Sequence, residues 1–223
     1  MADERELQNR IERVPAAPDQ LFVLRAYNVQ PGSEMSFEAL WRDFAARVIQ
    51  QPGCLFLRLH RDVEKPTRFL AYEWWQSRLA LIGAMCRSGD PPAYPLVGHA
   101  HEDFVRHSKG VAGSARDLRS ALPGQVVTVR HFYLKVDTEP IFERLWAQSA
   151  QAEARRAGVL YKRLHRDLNL PTHYVSYSLW TDRAAPDEAA HDHAHWQAEH
   201  EPYPLASPVV RETLEVRAQI RPQ

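Results

Sequence analysis

Two hydrophobic periods alternate along this chain. Residues 21–29 (LFVLRAYNV) are a run of strand formers closed by Pro31-Gly32. From Glu34 the period becomes helical, with Phe37, Leu40, Trp41, Phe44 and Val48 on one stripe and Ser33 placed to cap the free amides at its start. Pro52-Gly53 reads as the close of that helix. Residues 54–62 and 69–75 then read as strands joined by a hairpin turn at Glu64-Lys65-Pro66-Thr67, residues 76–87 as a second helix and 104–107 as a last strand. The order is βαββαβ, a ferredoxin-like split βαβ unit.

The pattern then repeats. Shifting the sequence by 105 positions lays residues 22–78 on 127–183 without a gap. Arg25/Arg130, Phe37/Phe142, Trp41/Trp146, Gly53/Gly158, Tyr72/Tyr177 and Trp75/Trp180 are identical pairs, and RLHRD occurs at both 58–62 and 163–167. An offset of 109 then brings Tyr94-Pro95-Leu96 onto Tyr203-Pro204-Leu205. In the second copy Thr138 takes the cap position and Ala157-Gly158 the helix end. The expected organisation is a helical extension over 1–18 (helix at 3–13), one half over 19–109, a linker over 110–125 and a second half over 126–223. One βαββαβ unit covers a single face of its sheet, and a bare apolar face forfeits roughly 25 cal/mol per Å² left in water. Two tandem copies can cover each other. The predicted class is therefore α+β, with two ferredoxin-like halves forming an intramolecular α+β barrel and a possible cavity between sheet and helices in each half.

Charge narrows the partners. With 28 basic and 28 acidic residues in 223, the chain has no excess to draw it to nucleic acid or an anionic membrane. No apolar run approaches the roughly 20 residues of a membrane span, and the first residues are charged where a signal peptide is apolar, so the expected location is the cytoplasm. Cys54 and Cys86 occupy non-equivalent positions and are expected to be free, buried thiols.

Several residues invite a chemical role. His191, His193, His195 and His200 resemble a metal cluster, but on a helix 191 and 195 share a face while 193 points away, and no cysteine completes a set. No metal is expected. His195 and His200 remain general acid/base candidates, since an imidazole titrates near neutrality. Within RLHRD, strand alternation places Arg58, His60 and Asp62 on one face, which favours a structural cross-sheet network over catalysis.

Certain motifs resemble a known family, the antibiotic biosynthesis monooxygenase domain of the dimeric α+β barrel superfamily. They are Pro52-Gly53-Cys54-Leu55, Arg61-Asp62, Pro66-Thr67-Arg68-Phe69 and Glu73-Trp74-Trp75, with Gly158-Val159-Leu160, Arg166-Asp167, Pro171-Thr172 and Ser178-Leu179-Trp180 in the second copy. His195-Trp196-Gln197-Ala198-Glu199-His200 is similar to the family's signature on the second helix. The resemblance implies small apolar cavities and cofactor-independent oxygenation of a small aromatic or polyketide-like molecule by O₂. Carried over, it makes Trp75 and Trp180 cavity-lining residues. Some oxygenating members place an asparagine four residues earlier, where this chain has Ala71 and Ser176. The helix-two histidines exist only in the second copy, so the working cavity is expected in the C-terminal half. There His195, His200 and Trp180 are the catalytic candidates, and Arg130, Tyr133, Trp146 and Tyr177, with Trp75 of the first copy, the substrate-binding ones. The alternatives are a heme protein of the same superfamily, a non-redox cyclase or isomerase, and a binding protein. The chain is expected to act as an intramolecular pseudo-dimer, with further homodimerisation left open.

Overall fold

A computed structural model describes residues 20–111, 124–154, 158–189 and 202–220, over 103–111 the backbone alone. The expected N-terminal helix, most of the expected linker, and the histidine run with His195 and His200 lie outside the described residues. The elements are β1 (Leu21–Asn28), α1 (Glu34–Val48), β2 (Cys54–Asp62), β3 (Arg68–Trp75), α2 (Arg78–Ser88) and β4 (His101–Val111), then β5 (Val126–Tyr133), α3 (Glu139–Ala154), β6 (Val159–Asp167), β7 (His173–Trp180) and β8 (Val210–Ile220). The class is α+β, with two ferredoxin-like halves in tandem. No described helix is long and apolar enough to cross a membrane.

The chain folds as two compact units. Among the described residues, one combines 20–106 with 213–220, and the other comprises those between 107 and 212. In the first, the antiparallel order is β4-β1-β3-β2-β8, with pairings running from Leu57↔Ile220 to Asp62↔Leu214 between β2 and β8. The last strand of the second repeat thus completes the sheet built by the first. In the other unit β5 and β6 flank β7, also antiparallel.

In the first unit α1 buries Phe37, Trp41, Ala45 and Val48 against the sheet face formed by Val23, Leu57, Leu59, Phe69 and Ala71. Burying a side chain of this size stabilises by roughly 1.5–3 kcal/mol. In the other unit α3 does the same with Phe142, Leu145, Trp146 and Ala150. Even the aromatic packing is duplicated. Phe37 meets Tyr27 at 5.1 Å and Tyr94 at 5.2 Å, while Phe142 meets Phe132 at 5.1 Å and Tyr203 at 5.2 Å.

Four local expectations are corrected. Ser33 occupies the N-cap of α1, but its side chain makes no capping hydrogen bond. The Thr138 hydroxyl instead donates to Lys135 O at 2.7 Å. Helix α1 stops at Val48, so Gly53 is not its terminating residue. Gly53 (φ 84°) instead turns the chain into β2, where a Cβ would stand 2.5 Å from Ala80 Cβ; Gly158 (φ 102°) leads into β6, where a Cβ would stand 2.8 Å from Ala185 Cβ. Cys86 is exposed, and only Cys54 is buried.

The repeated Arg-Asp of RLHRD is accounted for within each half by the hairpin that follows it. Asp62 Oδ1 accepts from Glu64 N and Lys65 N at 2.8 and 3.0 Å, and Asp167 Oδ1 from Asn169 N and Leu170 N at 2.7 and 3.1 Å. Arg61 and Arg166 donate Nε to the carbonyls of Pro66 and Pro171. An Asp holding two turn amides and an Arg holding the turn carbonyl fix the β2–β3 and β6–β7 registers.

Candidate functional site

A cavity of about 210 Å³ opens in the first unit between the sheet and its helices. Its walls are apolar and aromatic, with Tyr27, Trp41, Phe44, Leu57, Met85 and Tyr94 among them, and three charged residues, Arg25, Glu73 and Glu102, enter it. The placement follows from period two. Arg25 and Tyr27 on β1, Leu57 on β2 and Glu73 on β3 all fall on the sheet face that meets α1. In the register of β1 and β3, Arg25 is opposite Ala71 and Val23 opposite Glu73, so Arg25 and Glu73 are diagonal neighbours on that face.

The three charges form one chain. Arg25 Nε donates to Glu73 Oε1 at 2.8 Å, and Arg25 Nη1 donates to Glu102 Oε1. Trp75 Nε1 donates to the other Glu73 oxygen, Oε2, at 2.9 Å. Glu73 is thereby held at both oxygens. Glu102 is bound at one, and with 34% of its side chain exposed against 9% for Glu73 it stands at the mouth. Burial disfavours the Arg25 cation, but the Glu73 and Glu102 carboxylates outweigh it and hold its pKa above the ordinary value. Burial, reinforced by Glu73, raises the Tyr27 and Tyr94 hydroxyls, so both phenols stay protonated. Burial and Glu73 also push the Cys54 thiol up to about 12, which removes it as a nucleophile at neutral pH.

The second unit carries the same scaffold with different chemistry. Trp146 takes the place of Trp41, but the positions of Leu57 and Val48 hold Lys162 and Glu153, a buried ion pair whose ammonium lies 5.7 Å from the Trp146 ring centroid. Burial lowers the Lys162 pKa, with Glu153 opposing the shift and Arg130 adding to it. Ser178 stands where Glu73 does, and Arg211 where Glu102 does. Trp180 Nε1 donates to Thr128 Oγ1 at 2.9 Å.

The candidate residues chosen from the sequence divide over the two faces of this sheet. Arg130 and Trp180 lie on the face that meets Trp146 of α3, by the same alternation that places Arg25 and Trp75. Tyr133 and Tyr177, at odd positions of β5 and β7, fall on the opposite face, so they do not join Arg130. Tyr133 stacks on His173 at 4.5 Å, and Tyr177 packs edge-on to Tyr161 at 6.2 Å. Trp75 is fully buried and reaches the first cavity through Glu73 rather than by lining it. The cavity residues Glu73, Glu102, Tyr27 and Tyr94 were not among the site residues expected from the sequence. The available signal was Glu73 itself, a carboxylate on an otherwise apolar strand face, diagonal to the arginine of β1.

The family model described as antibiotic biosynthesis monooxygenase matches residues 21–87 and 125–202. No curated protein matches the chain. Among solved structures, a provisionally assigned monooxygenase from Fusobacterium nucleatum superposes with a TM-score of 0.70 at 12% identity, covering 91% of this chain and 94% of its own. A second such protein, from Lactobacillus acidophilus, gives 0.68 at 8% identity over 91% and 96%. An anthrone oxidase-like protein gives 0.67 at 13% identity over 93% and 95%. At these identities the likeness is one of fold, and it extends over both halves.

Proposed function

Since the chain belongs to the antibiotic biosynthesis monooxygenase family, we propose that it is a cofactor-independent monooxygenase that oxidises a small electron-rich phenol in the N-terminal cavity. One observation carries the reading: an aromatic-walled cavity into which a single arginine and two carboxylates project. Size restricts the substrate. An apolar cavity of about 150 Å³ accepts one benzene ring, so 210 Å³ suits a substituted ring or two fused rings rather than a large polycycle.

In this mechanism Trp41, Phe44, Tyr27 and Tyr94 enclose the ring and exclude water. Glu102, at the mouth, takes the phenolic proton, and Arg25 Nη2, which makes no bond to Glu73 or Glu102, donates to the developing oxyanion. Glu73, fixed by Trp75, positions the guanidinium. The electron-rich ring carbon passes an electron to O₂, and the resulting radical pair collapses to a C–O bond, giving a hydroperoxide. Loss of water from it leaves a quinone. For 1-naphthol the balance is C₁₀H₈O + O₂ → C₁₀H₆O₂ + H₂O. The substrate supplies the electrons, and one oxygen atom enters the product.

The expectation of a working site in the C-terminal half rested on His195 and His200, and the N-terminal cavity has no histidine among its lining residues. The test is O₂ consumption by the purified chain with 1-naphthol, hydroquinones and anthrone, with ¹⁸O₂ to trace the product oxygen. Uptake that falls about 10²-fold or more in Glu102→Gln and Arg25→Gln supports the assignment, the range expected of a positioned base. Absence of uptake with every phenol refutes it. A Soret band in the purified protein, or a rate that depends on added hemin, refutes the cofactor-free step and favours the heme alternative.

A further inference from the structure

The two halves place opposite charge at equivalent positions. Around the first cavity stand one cation, Arg25, and two carboxylates, Glu73 and Glu102. At the matching described positions of the second half stand three cations, Arg130, Lys162 and Arg211, and one carboxylate, Glu153.

Among the described residues Arg130 is the cation left over. Its counterpart Arg25 is neutralised at Nε by Glu73 and at Nη1 by Glu102. In the second half the first partner has become the neutral Ser178 and the second has reversed sign to Arg211. Glu153 Oε2 accepts from Lys162 Nζ, and Arg211 pairs with Asp187 at 2.9 Å. Among the described residues Arg130 has neither a hydrogen-bond acceptor nor an ion-pair partner, although it is half-buried. Burial pushes its pKa down and Arg211 pushes it further, Glu153 being the main opposing influence. A guanidinium offers five donors in a planar fork.

We infer that Arg130 is an anion-binding site in the C-terminal half, taking the planar carboxylate of a small organic acid in a bidentate pair. The carboxylate supplies what Glu73 supplies to Arg25, from a ligand rather than from the chain. Arginine suits this because its fork matches carboxylate geometry. The N-terminal cavity, with two carboxylates around one cation, disfavours the same ligand. This inference does not depend on the oxygenation chemistry, which uses the other half.

The test is calorimetric or NMR titration of the intact chain with benzoate, using benzamide as the neutral isostere. Benzoate is expected to bind at least tenfold more tightly than benzamide, and Arg130→Gln to abolish the difference. Arg130→Lys keeps the charge and loses the fork, so it is expected to retain part of the preference. Ser178→Glu guards against a folding artefact. Ser178 pairs with Thr128 in the register in which Glu73 pairs with Val23, so the new carboxylate reaches Arg130 as Glu73 reaches Arg25. That variant is expected to keep or raise the melting temperature while losing benzoate binding. Equal binding of benzoate and benzamide by the parent chain overturns the inference. So does benzoate binding that survives both Arg130→Gln and Ser178→Glu.

Discussion

The buried pair Lys162–Glu153 gives a quantitative test of how the second half departed from the first. Both side chains are almost fully enclosed, at 3% and 4% exposure, and they replace an apolar pair, Leu57 and Val48, at the same places in the first half. Removing one member of such a pair strands a charge where water cannot reach it, at a cost of about 3–5 kcal/mol, whereas replacing both by apolar groups is often neutral or stabilising. For a chain of this length about 2–4 °C accompanies each kcal/mol, so one stranded charge lowers the melting temperature by about 6–20 °C. Glu153→Val is expected to be the worse single change, because Glu153 is also the main influence favouring the Arg130 cation. It leaves two cations facing each other.

The sign of the pH dependence follows from the same geometry. Burial already holds the Lys162 pKa below its unfolded value of 10.5, and losing Glu153 lowers it further. Between the folded and unfolded values the unfolded chain binds more protons, so the variant gains stability as pH rises through that window. The double change Lys162→Leu with Glu153→Val restores the pairing of the first half and is expected to match or exceed the parent. Urea and thermal unfolding followed by circular dichroism decide the matter. A Glu153→Val cost below about 1 kcal/mol at pH 7, or a double variant no better than the worse single one, refutes the reasoning.

Two further outcomes are expected. Burial, with Arg58 beside it, lowers His60 to about 3, so its contribution to stability is complete above pH 6.5 and is lost as pH falls towards 3. The slope there approaches one proton, about 1.4 kcal/mol per pH unit, and His60→Gln should flatten it by that amount; an unchanged acid limb counts against a neutral buried His60. Gly53→Ala combines a left-handed backbone with a contact to Ala80, for a loss of roughly 2–5 kcal/mol in denaturant unfolding. A near-neutral result would show that the turn readily rearranges.

The elements were legible because duplication gives each pattern twice. A stripe such as Phe37, Trp41 and Val48 is ambiguous alone but recurs in register at Phe142 and Trp146, and β2 was placed at its observed bounds. What the pattern could not supply was the partner of each last strand. The repeat implies a last strand in the second half, yet nothing local says that β8 pairs with β2 of the other repeat. Gly53 misled for a related reason: a glycine just past a helix end suggests a cap, whereas Gly53 answers to the distant Ala80.

The candidate site was harder to read because identity between the copies points at scaffold rather than chemistry. Trp75/Trp180 and RLHRD stand out by recurring, and the contacts seen for them are positional: Trp75 braces Glu73, and Asp62 and Asp167 hold turns. The informative positions are those where the copies disagree while their surroundings agree. Glu73/Ser178, Glu102/Arg211, Leu57/Lys162 and Val48/Glu153 all border one space in the scaffold, and each exchange changes charge. A scaffold whose aromatic packing recurs in both halves, with Phe37 and Phe142 each meeting their equivalent neighbours at 5.1 and 5.2 Å, makes such exchanges readable as chemistry, because the apolar frame around them is kept. On that argument the halves are two sites of opposite preference, and a single substitution, Ser178→Glu, should move the second towards the first.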